Sequence, residues 1–502
     1  MIRSLFALAL LLFACALQAN FSLPQILSDG MVLQQGKPVG IWGKGEEGAQ
    51  VKAWLNGQDG ITMFKNGEWS ITFDPYEAGG PFELTIQSGE KTRIIKDILI
   101  GEVWIAGGRS DMQWSSNGSI HRKQELPFKA NGRIRVFKQT RRSTATPQFD
   151  TLPAKWTSST SENPKHWNAV AHWFAADLQR RLGVPVGLLI NCDDGTRATL
   201  WTSLKTLQEA KGFDSSLQSA LSAKRTFESR RILYEQELAN FMDKRKKGES
   251  TGPAPTYYGR VPSGYYNAMI HPIRKFSTRG VIWYQGEENA LTTKDAFEYR
   301  TFFPLMIGSW RKAFGDPNLP FLFVQLPKTS ESNPRDLPTL RESQLHNAKT
   351  VAHTGMVVAV DVGKEVGRHP HLKKPIGLRL AKLARGQVYG EKIPIIGPRF
   401  KEFSVDKAEL TIRFDHLPSG LKTEDGKAPT EFTLCGPDKK FHPALARIKE
   451  NSIVLSSKEV TEPVAARYCW SNECFPNLFS KNGLPVEPFR TDTFELPEKN
   501  PQ

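Results

Sequence analysis

Between Ile98 and Trp114 the chain reads Ile-Leu-Ile-Gly-Glu-Val-Trp-Ile-Ala-Gly-Gly-Arg-Ser-Asp-Met-Gln-Trp. The uninterrupted Val103-Trp104-Ile105-Ala106 fits a buried strand. The run breaks at Gly107-Gly108, and Arg109-Ser110-Asp111 follows at what reads as a strand-to-helix turn. A serine there sits at the mouth of a sheet, beside backbone N–H groups able to stabilise an oxyanion. The five-residue elbow pattern is absent, and Gly-Gly-x-Ser taken alone is an ordinary turn. The constraint lies in what surrounds this stretch, because the texture of the chain changes at Ile98.

Residues 20–97 carry short strands separated by turn residues, at 31–33, 39–42, 51–54 and 82–86, with Asn56-Gly57 and Asn66-Gly67 as hairpin signals. This pattern predicts a small N-terminal β-sandwich domain. From 98 to 392 strands alternate with helices: strands at 184–190, 280–284, 321–325 and 356–360, helices at 172–182, 297–314 and 378–385. Such alternation predicts a mostly parallel, three-layer α/β sheet. Residues 203–255 form a charged, helix-favouring insertion that includes Lys244-Arg245-Lys246-Lys247 and ends in a linker. From 393 to 502 the pattern is β-rich again, with strands expected at 410–414, 431–434 and 453–455.

A chain of 502 residues exceeds one compact core, and 39% hydrophobic with 24% charged residues marks it as globular. Residues 1–19 have a basic residue at Arg3, a short apolar core and a small residue, Ala19, at the cleavage position. This is a secretory signal, too short for a membrane span. Cys15 raises a lipid-anchored alternative, although Phe13 is bulky for such a site. No later stretch spans a bilayer, so the mature protein is expected to be secreted or periplasmic. Cys192, Cys435, Cys469 and Cys474 remain after cleavage. Cys469 and Cys474 are near enough to pair across a turn, which spacing alone leaves open. No cysteines show zinc-finger spacing with partner histidines, so no metal is expected. The net charge of +15 invites a nucleic-acid partner, but export and the lack of any such motif exclude it. Acidic polysaccharides, anionic sugars, a negative cell envelope or a generally basic solvated surface all fit the charge.

Three patches fall at predicted strand ends, where ligands of α/β sheets bind. They are Ser110, then Gln285-Gly286-Glu287, then the 361–370 loop carrying His369. Serine, polar amide and histidine are the nucleophile, oxyanion donor and base of a serine hydrolase. Each also has a plainer reading: His369 a helix cap, Gln285 a core hydrogen-bonder.

Further motifs make the resemblance specific. Asp29-Gly30-Met31-Val32-Leu33-Gln34, Leu182-Gly183-Val184-Pro185-Val186-Gly187-Leu188, Tyr266-Asn267-Ala268-Met269-Ile270, Ile282-Trp283-Tyr284-Gln285-Gly286-Glu287 and Arg467-Tyr468-Cys469-Trp470-Ser471-Asn472 stand in the chain in that order. With the serine stretch, they resemble the sialate O-acetylesterase-type carbohydrate esterases, within the SGNH-like hydrolases, across nearly all of the mature chain. The resemblance implies an SGNH-hydrolase-like sheet and removal of acetyl groups from sialic acid or other polysaccharide-derived sugars, with no metal or organic cofactor. It implies Ser110 as nucleophile and His369 as base. The Ser110 and Gly195 N–H groups, with the Gln285 amide, would be oxyanion donors, Asn267 would line the pocket and Glu287 is retained.

The departures cluster at the same place. Arg109-Ser110-Asp111 replaces Gln-Ser-Asn, and Cys192-Asp193-Asp194-Gly195-Thr196 replaces Ser-Trp-Gly-Gly-Thr. Glu288 replaces a serine, and Gly367-Arg368-His369-Pro370 stands in place of Asp-Ile-His-Pro, so that the aspartate is missing and Glu365 and Asp361 are the nearest acids to orient the histidine. Asp111, Asp193, Asp194 and Glu288 would oppose an oxyanion if they faced it unpaired. Arg109 would either offset them or grip a substrate carboxylate. A glycan-binding relative with impaired catalysis is the alternative function.

Overall fold

The computed structural model describes residues 21–115, 131–159, 167–210, 261–328, 335–363 and 372–498, with part of 222–249. Residues 1–20, where a signal segment and Cys15 are expected, lie outside the described residues, as do Glu365, Arg368 and His369.

The N-terminal strands are β1 (Val32–Gln34), β2 (Val39–Lys44), β3 (Gln50–Leu55), β4 (Gln58–Met63), β5 (Glu68–Phe73), β6 (Gly79–Ser88) and β7 (Lys91–Gly108). β2 pairs with β5, β3 with β4 and β6, and β6 with β7, all antiparallel. Asn56-Gly57 closes the β3–β4 hairpin and Asn66-Gly67 leads into β5, all four residues with positive φ. That is the backbone an Asn-Gly turn favours.

β7 runs for 18 residues and belongs to two sheets. Its first half pairs with β6, and Leu99–Gly101 pairs in parallel with β1. From Glu102 it lies between β10 (Val186–Cys192) and β11 (Gly280–Tyr284), parallel to both. The change shows in burial, since the first half is mostly exposed and every residue from Ile98 to Gly108 is buried. Position 97/98, where the sequence pattern divides, therefore lies inside one continuous strand.

With β8 (Asn131–Lys138), β9 (Trp156–Ser159), β12 (Phe321–Gln325) and β13 (Thr354–Val358), the central order is β13-β12-β11-β7-β10-β8-β9. All neighbours are parallel except β9, which is antiparallel to β8. β10 through β13 are buried at every position, as parallel strands covered by helices are. The predicted strands and helices between 98 and 392 are present with ends shifted by a few residues. The helices that bear on the site are α1 (Ser110–Gln113), α2 (Ala169–Leu182), α3 (Leu204–Glu209), α4 (Thr293–Phe314), α5 (Leu337–Thr350) and α6 (Lys374–Gln387).

A buried charge joins the sheets halfway along β7. Glu102 is fully buried and accepts from Arg279 Nε at 2.7 Å, Gln35 Nε2 at 2.6 Å and Tyr389 Oη at 2.8 Å. A carboxylate in that position is tolerable only with its lone pairs filled.

The C-terminal region is β-rich, as expected. Arg399–Asp406, Glu409–Asp415, Ser452–Ser456 and Leu445–Lys449 form one antiparallel sheet, and Phe441–Pro443, Phe432–Cys435, Ala465–Tyr468 and Phe489–Arg490 another. Cys469 and Cys474 are disulfide-bonded, which answers the question their spacing left open. Among the described residues no helix is long and apolar enough to cross a membrane.

Helices α2 and α6 pack on each other through Gly377. A Cβ at that position would lie 2.6 Å from the Val170 carbonyl oxygen and 2.6 Å from Trp173 Cβ, both on α2. Alanine favours a helix over glycine, but here it must separate two packed helices. Gly377→Ala is expected to lower stability by about 1–3 kcal/mol, read as a lower urea midpoint; an unchanged midpoint would show that the helices give way freely.

Candidate active site at the C-terminal edge of the central sheet

Register brings the sequence patches together. Gly108 is level with Cys192 on β10 and with Tyr284 on β11. The three segments that follow, Arg109-Ser110-Asp111, Asp193-Asp194-Gly195 and Gln285-Gly286-Glu287, therefore leave the sheet side by side. Two main-chain bonds hold them so: Arg109 N–H donates to Tyr284 O at 2.9 Å, and Asp193 N–H to Gly108 O at 3.1 Å. Gly108 has φ +132°, and a Cβ there would lie 2.2 Å from Tyr284 O, so only glycine allows this approach.

Ser110 is the first residue of α1, buried to 8% exposure, and its Oγ has no hydrogen-bond partner among the described residues. Its backbone N–H belongs to a first helical turn, where amides lack intrahelical acceptors. The far end of α1 is pinned by Asn168, whose Nδ2 donates to Met112 O at 2.8 Å and contacts Cys192 Sγ at 3.6 Å. Burial pushes the Cys192 thiol up to about 12, so it is a packing group and not a second nucleophile.

Asp111, Asp193, Asp194 and Glu288 are each paired with a cation, Arg109 among them. Asp111 bonds to the fully buried Lys373 Nζ at 2.5 Å. Asp193 accepts from Arg141 Nη1 at 3.0 Å and from Tyr265 Oη. Asp194 Oδ1 meets Arg109 Nε at 3.0 Å. Glu288 Oε1 meets Arg109 Nη2 at 2.9 Å and Arg335 Nη2 at 3.3 Å. Arg109, 1% exposed, also lies 3.5 Å from Glu287 Oε1. Its guanidinium is thus engaged by three carboxylates of its own chain, rather than standing open for one on a substrate. Lys373, Arg141 and Arg335 have no motif around them in the sequence; of the four acids Asp111 and Asp193 are buried, and a buried carboxylate requires a partner.

The remaining candidates have defined partners. Gln285 Nε2 donates to Thr196 O at 2.9 Å and Asn289 Oδ1 at 2.8 Å, and its Oε1 accepts from Tyr299 Oη at 3.1 Å. Both amide hydrogens are occupied, so the core hydrogen-bonding role is the one observed, in place of a donor aimed at an oxyanion. The Gly195 N–H donates to Asp194 Oδ1 at 2.8 Å. Asn267 Nδ2 donates to Thr144 O at 3.0 Å and ties down the 144–148 segment. Both Asp361 oxygens are held by Arg379, at 2.7 and 2.6 Å.

Glu287 is buried, with Oε2 unpartnered among the described residues. Burial pushes its carboxyl up to about 7; Arg109 pulls it down and Asp111 raises it further. A carboxyl titrating near 7 when folded and near 4.5 when unfolded holds its proton more tightly in the native state. Stability from this group is therefore full below about pH 4.5 and declines as pH rises towards 7. Relative to wild type, Glu287→Gln is expected to gain on the order of 1–3 kcal/mol between about pH 5 and pH 8. Urea unfolding at the two pH values measures this, and a pH-independent difference would contradict it.

Comparison with known proteins agrees with this geometry. Residues 253–386 match the family model for carbohydrate esterase, sialic acid-specific acetylesterase. The sialate O-acetylesterase of Rattus norvegicus is 30% identical over 504 residues, covering 90% of each chain. That of Homo sapiens is 28% identical over 522 residues, covering 94% of this chain and 92% of its own. The crystal structure of a carbohydrate acetylesterase from Xanthomonas citri superposes with a TM-score of 0.81 at 31% identity, over 95% of this chain and 100% of that one. Shared length, sequence and fold agree, and the chain belongs to the sialate O-acetylesterase family.

Proposed function

We propose that the chain is an exported, serine-dependent carbohydrate O-acetylesterase acting on acetylated sialic acid or other polysaccharide-derived sugars. The observation that carries this reading is the buried Ser110 Oγ at the end of the central strand, without a hydrogen-bond partner among the described residues and beside carboxylates matched by cations. Ser110 attacks the acetyl carbonyl while His369 takes the hydroxyl proton. His369 returns that proton to the departing sugar oxygen, and water then releases acetate from the acetyl-serine by the same route reversed. The Ser110 and Gly195 amides stabilise the oxyanion. Gln285 supports them by holding Thr196, and Asn267 shapes the adjoining wall. We place the orienting acid at Glu365, since Arg379 holds both oxygens of Asp361. Residues 1–19 direct export, and 20–97 and 393–502 act as β-domains flanking the esterase unit at 98–392.

One contact favours a second reading, a glycan-binding relative of impaired catalysis: Asp194 already occupies the Gly195 amide that an oxyanion needs. Hydrolysis of an aryl acetate and a mixed set of O-acetylated sugars by the mature protein, beside Ser110→Ala, separates the two. The esterase reading expects a loss of at least about 10³-fold in kcat for Ser110→Ala. A folded wild type without activity on any ester would leave the binding reading, and equal activity in both proteins would exclude Ser110 as nucleophile.

A further inference from the structure

Arg335 lies two residues before α5, is 3% exposed, and reaches the turn after β11. It donates to the Glu287 carbonyl oxygen through Nη1 and pairs with Glu288 Oε1 through Nη2. The same Glu288 oxygen binds Arg109, the residue immediately before Ser110. Two buried arginines therefore share one carboxylate oxygen at the back of the serine turn.

What holds Arg335 comes from the far end of the chain. Asn472 Nδ2 donates to Arg335 O at 2.7 Å, and Asn472 Oδ1 accepts from Leu337 N–H at 3.1 Å. Arg341 of α5 donates to Ser471 O at 2.7 Å and meets Cys474 Sγ at 3.6 Å. These acceptors sit in the loop closed by the Cys469–Cys474 bond. The loop thus has four contacts on and around the start of α5 and is linked to the serine turn through the side chains of Arg335, Glu288 and Arg109.

We propose that the disulfide-closed loop 469–474 is a positioning element for the esterase reaction, acting through Asn472, Arg335 and Glu288 on the Arg109–Ser110 turn. The proposal rests on the esterase reading above. Arg335 does its work from behind the turn. Without it, Glu288 and the Glu287 carbonyl lose a cation and a donor, and the Glu288 end of the Arg109 guanidinium loses its fixed anchor while Asp194 still holds the other. A shift of about 1 Å in a reacting group lowers turnover by up to about 10²-fold. The Glu287 carboxyl reports the same change, because the charged and titrating groups around it are Arg109, Arg335, Asp111, Glu288, Tyr284 and Tyr299, with Lys373 behind Asp111.

The test uses the full mature chain with Arg335→Gln, Arg335→Lys and Asn472→Ala. For Arg335→Gln we expect aryl acetate kcat to fall about 10-fold or more with KM within about twofold. Arg335→Lys should recover part of that loss, and Asn472→Ala should lower kcat about threefold. The Glu287 titration, isolated by carboxyl infrared difference against Glu287→Gln, should move to higher pH in Arg335→Gln. If the Arg335 variants fail to fold, Asn472→Ala carries the same readouts. A folded Arg335→Gln with wild-type kcat, or an unmoved Glu287 titration, overturns the proposal. An inactive wild type whose Glu287 titration still moves overturns the esterase reading while supporting the coupling.

Discussion

Gly108 stands level with Cys192 on one side and Tyr284 on the other, and the candidate site takes its shape from that register. Parallel strands that end at one height deliver their following residues to one place, here a serine, an acidic loop and a Gln-Gly-Glu turn. The register is itself set by main-chain ladders buried on both faces, which are among the least deformable parts of a protein. Side chains at the site then need only short loops to be placed, and α1, a single turn of helix, suffices to present Ser110.

Electrostatics forms the second layer of the same structure. Asp111, Asp193, Asp194 and Glu288 lie in the loops at the site, and each has a cation: Lys373, Arg141, Arg109 and Arg335. The Lys373–Asp111 pair is buried on both sides, and such a pair adds little net stability over an apolar core, yet removing one partner leaves an uncompensated charge. The acids and their cations are therefore interdependent. A substitution at one of them carries consequences at residues far away in sequence.

The parts of this architecture that could be read from sequence are those with local causes. Apolar runs such as 280–284 and 321–325 read as strands because nothing else explains them. Asn56-Gly57 read as a hairpin because its backbone preference is intrinsic. Ser110 stood out through the Gly-Gly break before it. Long-range pairing was not legible: Lys373 is 262 residues from Asp111, and no local pattern announces the match. Arg109 shows the limit in another way. Its substitution for glutamine was visible, but whether its guanidinium faced a substrate or its own chain depended on loops 194 and 288, which only the fold brings near. For Gln285 one partner, Asn289, is four residues away, whereas the other, Thr196, is brought near only by the fold.

The 18-residue β7 has a mechanical consequence. One backbone carries the register of an antiparallel sheet at one end and of a parallel sheet at the other, and the two geometries do not match in twist. The irregularities needed to reconcile them, between Gly79 and Phe82 and between Phe82 and Leu84, all lie in the pairing with β6. The first places the extra residue on β6 and the second on β7, where Asp97 has φ +57°, while β7 beyond Glu102 stays in step along its ladders with β10 and β11. The N-terminal sheet thus anchors one end of a strand whose other end leads into the serine turn, and the irregular pairing sits at the anchored end, where errors of fit are taken up before the regular ladders that hold the turn.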